Sequence, residues 1–249
     1  MAGDPLSSTI LLGVAGAAVG SFIGLVSLRL PAGEPVLFGR SRCGGCGRTL
    51  GAGELVPLLS YLLQRGRCRR CGSRIAWRYP AIEAAAALVG VVAGTVLAGP
   101  AAVAAAVLGW WLLLLAILDA EHFWLPSVLT LPLVVAGLGA TWLLDPAGLG
   151  DHVAGAVAGF ASLAGLAAVY LALRRRTGLG GGDARLFAAA GAWLGWLPLP
   201  LVLAVAAIAG LLAAVTIWRR DLTATTRLPF GTFLAAATWL VYLVRPWPY

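Results

Sequence analysis

The sequence predicts an all-α polytopic membrane protein with about eight transmembrane helices and a small cytoplasmic zinc-binding domain, built on four cysteines, between helices 1 and 2. Of its 249 residues, 60% are hydrophobic and only 11% are charged, and its mean hydropathy is +0.91. Several apolar runs approach the roughly 20 residues that a helix needs to cross a bilayer. These runs are continuous rather than alternating, which favours helices over a closed β-barrel.

Eight apolar segments are the expected spans. The first is predicted to be a retained helix rather than a cleaved signal peptide, because an acidic residue and no basic residue precedes it. Gly99-Pro100 predicts the turn between the second and third spans, and Pro198 and Pro200 end a short sixth span. Whether the sixth and seventh spans are separate helices or one broken helix is left open. The expected spans are 8–28, 80–98, 101–119, 126–144, 152–173, 184–197, 199–218 and 230–246.

The arginines predict how these spans are oriented. All 18 basic residues are Arg, and ten of them lie in the polar segment 29–79. Because Arg concentrates on the cytoplasmic side of membrane proteins, we expect this segment to be cytoplasmic. Eight spans then place 17 of the 18 arginines inside and only Arg245 outside. This topology accounts for the net charge of +8, so membrane lipids are expected partners and nucleic acid is not.

Four cysteines in the polar segment form two C-x-x-C pairs, Cys43/Cys46 and Cys68/Cys71, with 21 residues between them. Zinc prefers four thiolates at tetrahedral positions, and two such turns supply them. The alternatives are two unrelated cysteine pairs or a redox dithiol. A closed four-thiolate site has no open coordination position, so the zinc is expected to be structural. It would fold a segment that has too few apolar residues for its own core.

Two aspartates are the candidate catalytic groups. Asp119 ends the apolar third span, and Asp183 follows the glycine-rich stretch 178–182 at the start of the sixth. Taken singly, Asp119 could be a solvated residue beyond its helix, and Asp183 an acid favoured by a helix N-terminus. The predicted topology places both at the cytoplasmic face, where two carboxylates sharing one proton can hydrolyse a peptide bond. Gly180 and Gly182 are expected to bring this loop close to a substrate.

These features together resemble the type IV prepilin peptidases, bacterial inner-membrane aspartic proteases of the G-x-G-D class. Gly180-Gly-Gly-Asp183-Ala-Arg-Leu186, followed by Gly191-Ala-Trp-Leu194, is a specific match to the second aspartate block. The other matching blocks are Gly20-Ser-Phe-Ile-Gly24 with Arg29-Leu-Pro31, the two cysteine pairs, Pro57-Leu-Leu-Ser-Tyr61 with Arg65-Gly-Arg-Cys68 and Arg78-Tyr-Pro80, and Asp119 to Pro126. Glu83 also matches a family acid.

The resemblance implies two activities in the bacterial cytoplasmic membrane. The first is cleavage of the basic leader of prepilins or pseudopilins by Asp119 and Asp183 on the cytoplasmic side. The second is N-methylation of the new N-terminus with S-adenosylmethionine, which the family associates with the cysteine-containing segment. Substrates of this kind serve type IV pili or type II secretion. The resulting domain division is 1–28 for the first transmembrane helix, 29–79 for the zinc-binding domain and 80–249 for the transmembrane aspartic peptidase domain.

Three residues depart from the family pattern, and two other function classes compete. Gly24 replaces an asparagine, Gly44 a proline and Arg185 a lysine, although none of these is a proposed catalytic residue. An ion-coupled transporter would also use membrane carboxylates and a glycine-broken helix, but zinc knuckles do not follow from transport. The second rival is a non-enzymatic scaffold of a secretion machine that docks partners through the zinc domain.

Overall fold

The computed structural model describes residues 5–36, 39–175, 180–217 and 228–245. Within these ranges the regular secondary structure is helical, and β-structure is limited to two isolated bridges, Arg42–Thr49 and Arg67–Arg74. The helices are α1 (Pro5–Arg29), α2 (Leu59–Leu63), α3 (Arg78–Val96), α4 (Gly99–His122), α5 (Ser127–Leu144), α6 (Leu149–Arg174), α7 (Gly181–Leu194), α8 (Leu199–Ile217) and α9 (Phe230–Val244). The predicted all-α membrane fold is confirmed. Arg176, Gly178, Leu179, Arg219, Arg220 and Arg227, used in the sequence predictions, lie outside the described residues.

Each expected span corresponds to one helix, but the count of eight membrane crossings is not confirmed. Six helices are long and apolar enough to cross a membrane, namely α1, α3, α4, α5, α6 and α8. Helix α9 is apolar but has 15 residues, and α7 has 14. Fourteen helical residues extend roughly 21 Å, which is less than the roughly 30 Å of a hydrocarbon core. Helices α7 and α8 are separate, because Gly195 ends α7 with φ of +79°.

The chain divides into two compact units, Met1–Trp110 and Trp111–Tyr249. In the first unit, α1 and α3 pack through small residues. A Cβ atom added to Gly16 would lie 2.3 Å from the carbonyl oxygen of Ala86, so the two backbones are in direct contact. A polar contact joins the same two helices: Arg78 at the start of α3 donates a hydrogen bond of 2.8 Å to the Ser27 hydroxyl in α1. The cysteine-containing segment joins these two helices.

In the second unit, α7 has the largest fraction of buried residues, 11 of 14. Ten of the eleven residues from Ala184 to Leu194 are buried, as is Asp183. Helix α6 packs against it so closely that a Cβ atom added to Gly191 would lie 2.1 Å from the carbonyl oxygen of Gly155. Because α7 is enclosed by neighbouring helices from Asp183 onward, the position of Asp183 is set by this packing.

Candidate active site and candidate metal centre

Asp119 lies inside the last turn of α4. Its carbonyl oxygen accepts the backbone N–H of Phe123 at 2.8 Å, and the residue is 6% exposed. This burial excludes the alternative that Asp119 is a solvated residue beyond the helix end. A carboxylate buried among apolar neighbours costs free energy unless polar groups compensate it, so its partners are informative.

Asp183 lies in the first turn of α7, and the structure brings its carboxylate near that of Asp119. The backbone N–H of Asp183 donates to the carbonyl oxygen of Gly180 at 3.1 Å, and Gly180 lies beside the Asp183 carboxylate. Asp183 is 9% exposed, and the two carboxylates are close enough for their charges to repel each other. A solvated N-terminal helix acid does not have this environment. The two candidate catalytic residues therefore form a buried pair.

Thr232 in the first turn of α9 is a polar partner that the sequence did not reveal. Its backbone N–H donates to Oδ2 of Asp119 at 2.7 Å, and its hydroxyl lies 3.2 Å from the same oxygen. The hydroxyl also lies 3.0 Å from the carbonyl oxygen of Ala116. Because helix N-termini favour negative charge, α9 stabilises Asp119 in the same way that α7 stabilises its own Asp183.

The Thr232 hydroxyl has a single proton and two neighbouring oxygens, so it can serve either protonation state of Asp119. It donates to Oδ2 when the carboxylate is ionised. When Oδ2 carries a proton, the hydroxyl accepts from Oδ2 and donates to the carbonyl oxygen of Ala116 instead. The hydroxyl proton therefore has an acceptor whether Asp119 is ionised or protonated.

Leu125 packs against two glycines: Gly182, which precedes Asp183, and Gly231, which lies beside the Asp119 carboxylate. A Cβ atom added to Gly182 would lie 2.6 Å from Cβ of Leu125. One added to Gly231 would lie 2.6 Å from Cδ1 of Leu125 and 3.0 Å from the Asp119 carboxylate. A side chain at either glycine would therefore clash with Leu125, and one at Gly231 would also press on the Asp119 carboxylate. The expected approach of Gly180 and Gly182 to a substrate stays a prediction.

The sequence contains only a weak signal for the contribution of α9. Pro229-Phe-Gly-Thr232 precedes an apolar run, and a proline at that point is typical of a helix start. Nothing in this signal points to Asp119, which is 113 residues away along the chain.

The four cysteines form two turns with the same construction. In each turn, the residue after the second cysteine donates its N–H to the carbonyl oxygen of the first, Gly47 to Cys43 and Gly72 to Cys68, both at 2.9 Å. Gly47 and Gly72 have φ values of +68° and +70°, a region that glycine adopts without steric cost. The local sequence therefore determines the shape of both turns.

The sulfur positions fit a tetrahedral metal site. The Sγ atoms of Cys43, Cys46, Cys68 and Cys71 all lie within 4.8 Å of one another. Zinc–sulfur bonds of about 2.3 Å correspond to sulfur–sulfur distances of about 3.8 Å. The Sγ atoms of Cys43 and Cys71 are 3.7 Å apart, which agrees with this value and is too long for a disulfide. The alternative of two unrelated cysteine pairs is thereby excluded.

Ser73 is a further polar residue at this cluster. Its hydroxyl lies 3.4 Å from Sγ of Cys43 and 3.1 Å from Sγ of Cys71. Hydrogen bonds from Ser73 and from the backbone N–H groups of Cys46 and Gly45 lower the pKa of Cys43 to about 5. Because metals bind thiolates rather than thiols, these hydrogen bonds favour the metal-coordinating form of Cys43.

Comparison with known proteins gives matches over most of the chain. Residues 14–97 match the family model for the bacterial peptidase A24 N-terminal domain, and residues 106–215 match the type IV leader peptidase family. The chain is 41% identical to the prepilin leader peptidase/N-methyltransferase of Aeromonas hydrophila, over 82% of this chain and 71% of that protein. It is also 41% identical to the protein of the same name from Burkholderia pseudomallei, over 94% and 84%.

A relative with a different name is similar over nearly its whole length. The chain is 36% identical to the type 4 prepilin-like proteins leader peptide-processing enzyme of Escherichia coli, over 93% of this chain and 92% of that protein. No solved structure matches the chain at a significant level.

Proposed function

Because the chain belongs to the type IV leader peptidase family, we propose that it is a membrane aspartic endopeptidase that cleaves the basic leader of type IV prepilins and pseudopilins. The observation that carries this proposal is the buried pair of Asp119 and Asp183, held at the end of α4 and the start of α7. Two carboxylates that repel each other share one proton, so one is ionised and can act as a base while the other is protonated and can act as an acid.

Hydrolysis by this pair needs no covalent intermediate. The ionised carboxylate takes a proton from water as the water oxygen attacks the carbonyl carbon, and the protonated carboxyl group donates its proton to the carbonyl oxygen. The C–N bond then breaks as the leaving amine takes up the proton that came from water. The carboxylate that acted as the acid takes back a proton from a hydroxyl of the tetrahedral intermediate, which restores the starting pair. We assign the base to Asp119, because the N–H of Thr232 favours its ionised form, and the acid to Asp183. The pair titrates as a unit.

The zinc-binding domain, residues 29–79, is proposed as a separate folding element of this enzyme. Cys43, Cys46, Cys68 and Cys71 would hold a structural zinc ion, which would fix the two turns and leave no position for a substrate. No hydrolytic step passes through the metal. The 80–249 segment, which contains both aspartates and Thr232, is proposed as the peptidase domain.

The chain is an integral membrane protein, and we propose the bacterial inner membrane as its location with the active site facing the cytoplasm. Arginine distribution supports this orientation, since 17 of the 18 arginines fall on one side in the eight-span topology. A basic leader that stays in the cytoplasm would then reach both aspartates without crossing the bilayer.

An in vitro cleavage assay tests the peptidase. The purified full-length protein in lipid nanodiscs is incubated with a prepilin, and leader release is followed for the wild type and for Asp119→Asn and Asp183→Asn. Loss of one acid–base group is expected to lower the rate on the order of 10³-fold or more. Glu121→Gln, an exposed position two residues after Asp119, is the matched control and should cleave normally. Normal cleavage by either Asn variant would favour the transporter or scaffold alternatives.

The second activity proposed is N-methylation of the new N-terminus, with S-adenosylmethionine as methyl donor. The double name of the Aeromonas and Burkholderia relatives supports this proposal. Mass spectrometry of the mature substrate, with and without S-adenosylmethionine, measures it. A mass increase of one methyl group on the N-terminal residue is expected. An unmodified amine in the presence of the donor would contradict the methyltransferase proposal and support the peptidase activity only.

A further inference from the structure

Helix α2 has an apolar face that no other described residue covers. Leu59, Leu62 and Leu63 are 53%, 70% and 67% exposed, and they lie on one side of the helix at i, i+3 and i+4. Tyr61 points elsewhere, since its hydroxyl would contact a Cβ atom added to Gly66. Leucines exposed to this degree in a folded segment indicate contact with an apolar phase or a partner.

Two hydrogen-bonded residues place this helix beside the beginning of a membrane-spanning helix. Glu83 is 9% exposed, and its Oε2 accepts the backbone N–H of Leu58, the residue before α2, at 2.7 Å. Glu83 is five residues into α3, which is roughly 7.5 Å along the axis from Arg78. Leu58 has a φ of +60°, a conformation that is costly for a non-glycine residue and that this contact helps to hold.

The residues around α2 have the composition of a membrane–water interface. Trp77 directly precedes α3 and is 76% exposed, and tryptophan is enriched at the headgroup level of bilayers. The segment 29–79 contains ten arginines but only two glutamates. Five exposed arginines follow α2 within eleven residues, namely Arg65, Arg67, Arg69, Arg70 and Arg74.

We propose that α2 and Trp77 form an interfacial element that lies in the bilayer leaflet at the Arg78 end of α3. Leu59, Leu62 and Leu63 would enter the boundary between headgroups and acyl chains, and the arginines would contact the phosphates of anionic lipids. The charge of this surface favours anionic lipid over the prepilin substrate as the group that covers α2, because a surface rich in arginine repels a basic leader. The element holds the cysteine-containing segment at the membrane surface and does not depend on peptidase activity.

Site-specific photo-crosslinking tests the proposal in the full-length protein. p-Benzoylphenylalanine replaces Leu62 or Leu63, and in the control it replaces Ala52, an exposed residue of the same segment. The proteins are irradiated in nanodiscs of phosphatidylethanolamine and phosphatidylglycerol, and adducts are identified by mass spectrometry. Lipid adducts at Leu62 and Leu63 should exceed those at Ala52 several-fold. Equal yields, or adducts with a prepilin, a second copy or another part of the chain, would overturn the proposal.

A change of lipid composition tests the role of the arginines. When phosphatidylglycerol is left out of the nanodiscs, the lipid adducts at Leu62 should decrease, because the electrostatic attraction is lost while the apolar contact remains. An unchanged yield would overturn the assignment of the arginines to anionic headgroups. Metal content measured for each variant checks that the cysteine-containing segment stays folded.

Discussion

The thiols of the first unit and the carboxylates of the second are brought together by different kinds of structure. Cys43 and Cys71 are 28 residues apart, and each lies in a short turn closed by its own backbone hydrogen bonds. Asp119 is in contact with Thr232, which is 113 residues away, where the last turn of α4 meets the first turn of α9. The first site is thus built by local sequence, and the second by the packing of distant helices.

Burial explains why the two sites need different support. From 39 to 77, the only buried residues are Gly66 and Cys68. In α7, by contrast, nearly every residue from Asp183 onward is buried. The cysteine-containing segment has almost no apolar core to replace a lost ligand, whereas the aspartate site has a packed scaffold that persists when one polar group is changed.

Removing the metal is expected to have the largest effect. It should unfold the cysteine-containing segment of the first unit while the aspartate site of the second unit stays active. Cys43→Ser combined with Cys46→Ser should abolish bound zinc and unfold the segment, since structural zinc contributes about 10–16 kcal/mol in small domains. Metal analysis and limited proteolysis between 39 and 77 measure the loss. Leader cleavage should persist, because the described hydrogen bonds of Asp119 and Asp183 are made within the second unit.

The Asp119→Asn variant is the reciprocal control for this prediction. It should lose cleavage but keep its zinc and its resistance to proteolysis between residues 39 and 77. Unchanged zinc content in the double cysteine variant would refute the ligand assignment. A protease-resistant segment after zinc loss would show that an apolar core, not the metal, maintains its fold.

The second prediction concerns the close packing at the start of α7. Gly182→Ala places a methyl group against Leu125 and should move the Asp183 carboxylate, and a displacement of about 1 Å in such a site costs about 100-fold in rate. Gly181→Ala is a matched control, because a Cβ atom at Gly181 would meet open space. Cleavage rates of the two variants in the prepilin assay give the comparison, and equal rates would contradict the packing argument.

The difference between the sites also explains what sequence reasoning could predict. The cysteine turns and Asp183 with its glycines are local motifs, so the sequence contains most of their geometry. Thr232, Gly231 and Leu125 contribute through tertiary packing, which a single sequence does not encode in any short pattern. The same reason applies to α7: its apolarity predicts a span, but the packing that buries 11 of its 14 residues is not visible in the sequence.

The smallest effect is expected at the hydroxyl that contacts Asp119. Thr232→Val keeps the shape of the side chain and the backbone N–H, but it removes the group that serves both protonation states of Oδ2. A hydrogen bond to a charged group contributes about 2 kcal/mol, which corresponds to a decrease of about 30-fold in kcat. KM should change little, because the hydroxyl acts on Asp119 rather than on the substrate.

Thr232→Ser decides whether the hydroxyl or the packing of Thr232 is responsible. Serine restores the hydroxyl but lacks the methyl group, so it should recover most of the lost kcat if the hydrogen bond to Asp119 matters. If packing alone matters, valine should be nearly neutral and serine the poorer variant, since valine fills the same volume. That reversed order would show that α9 supports Asp119 through its backbone N–H alone, and that the distant helix contributes position rather than proton handling.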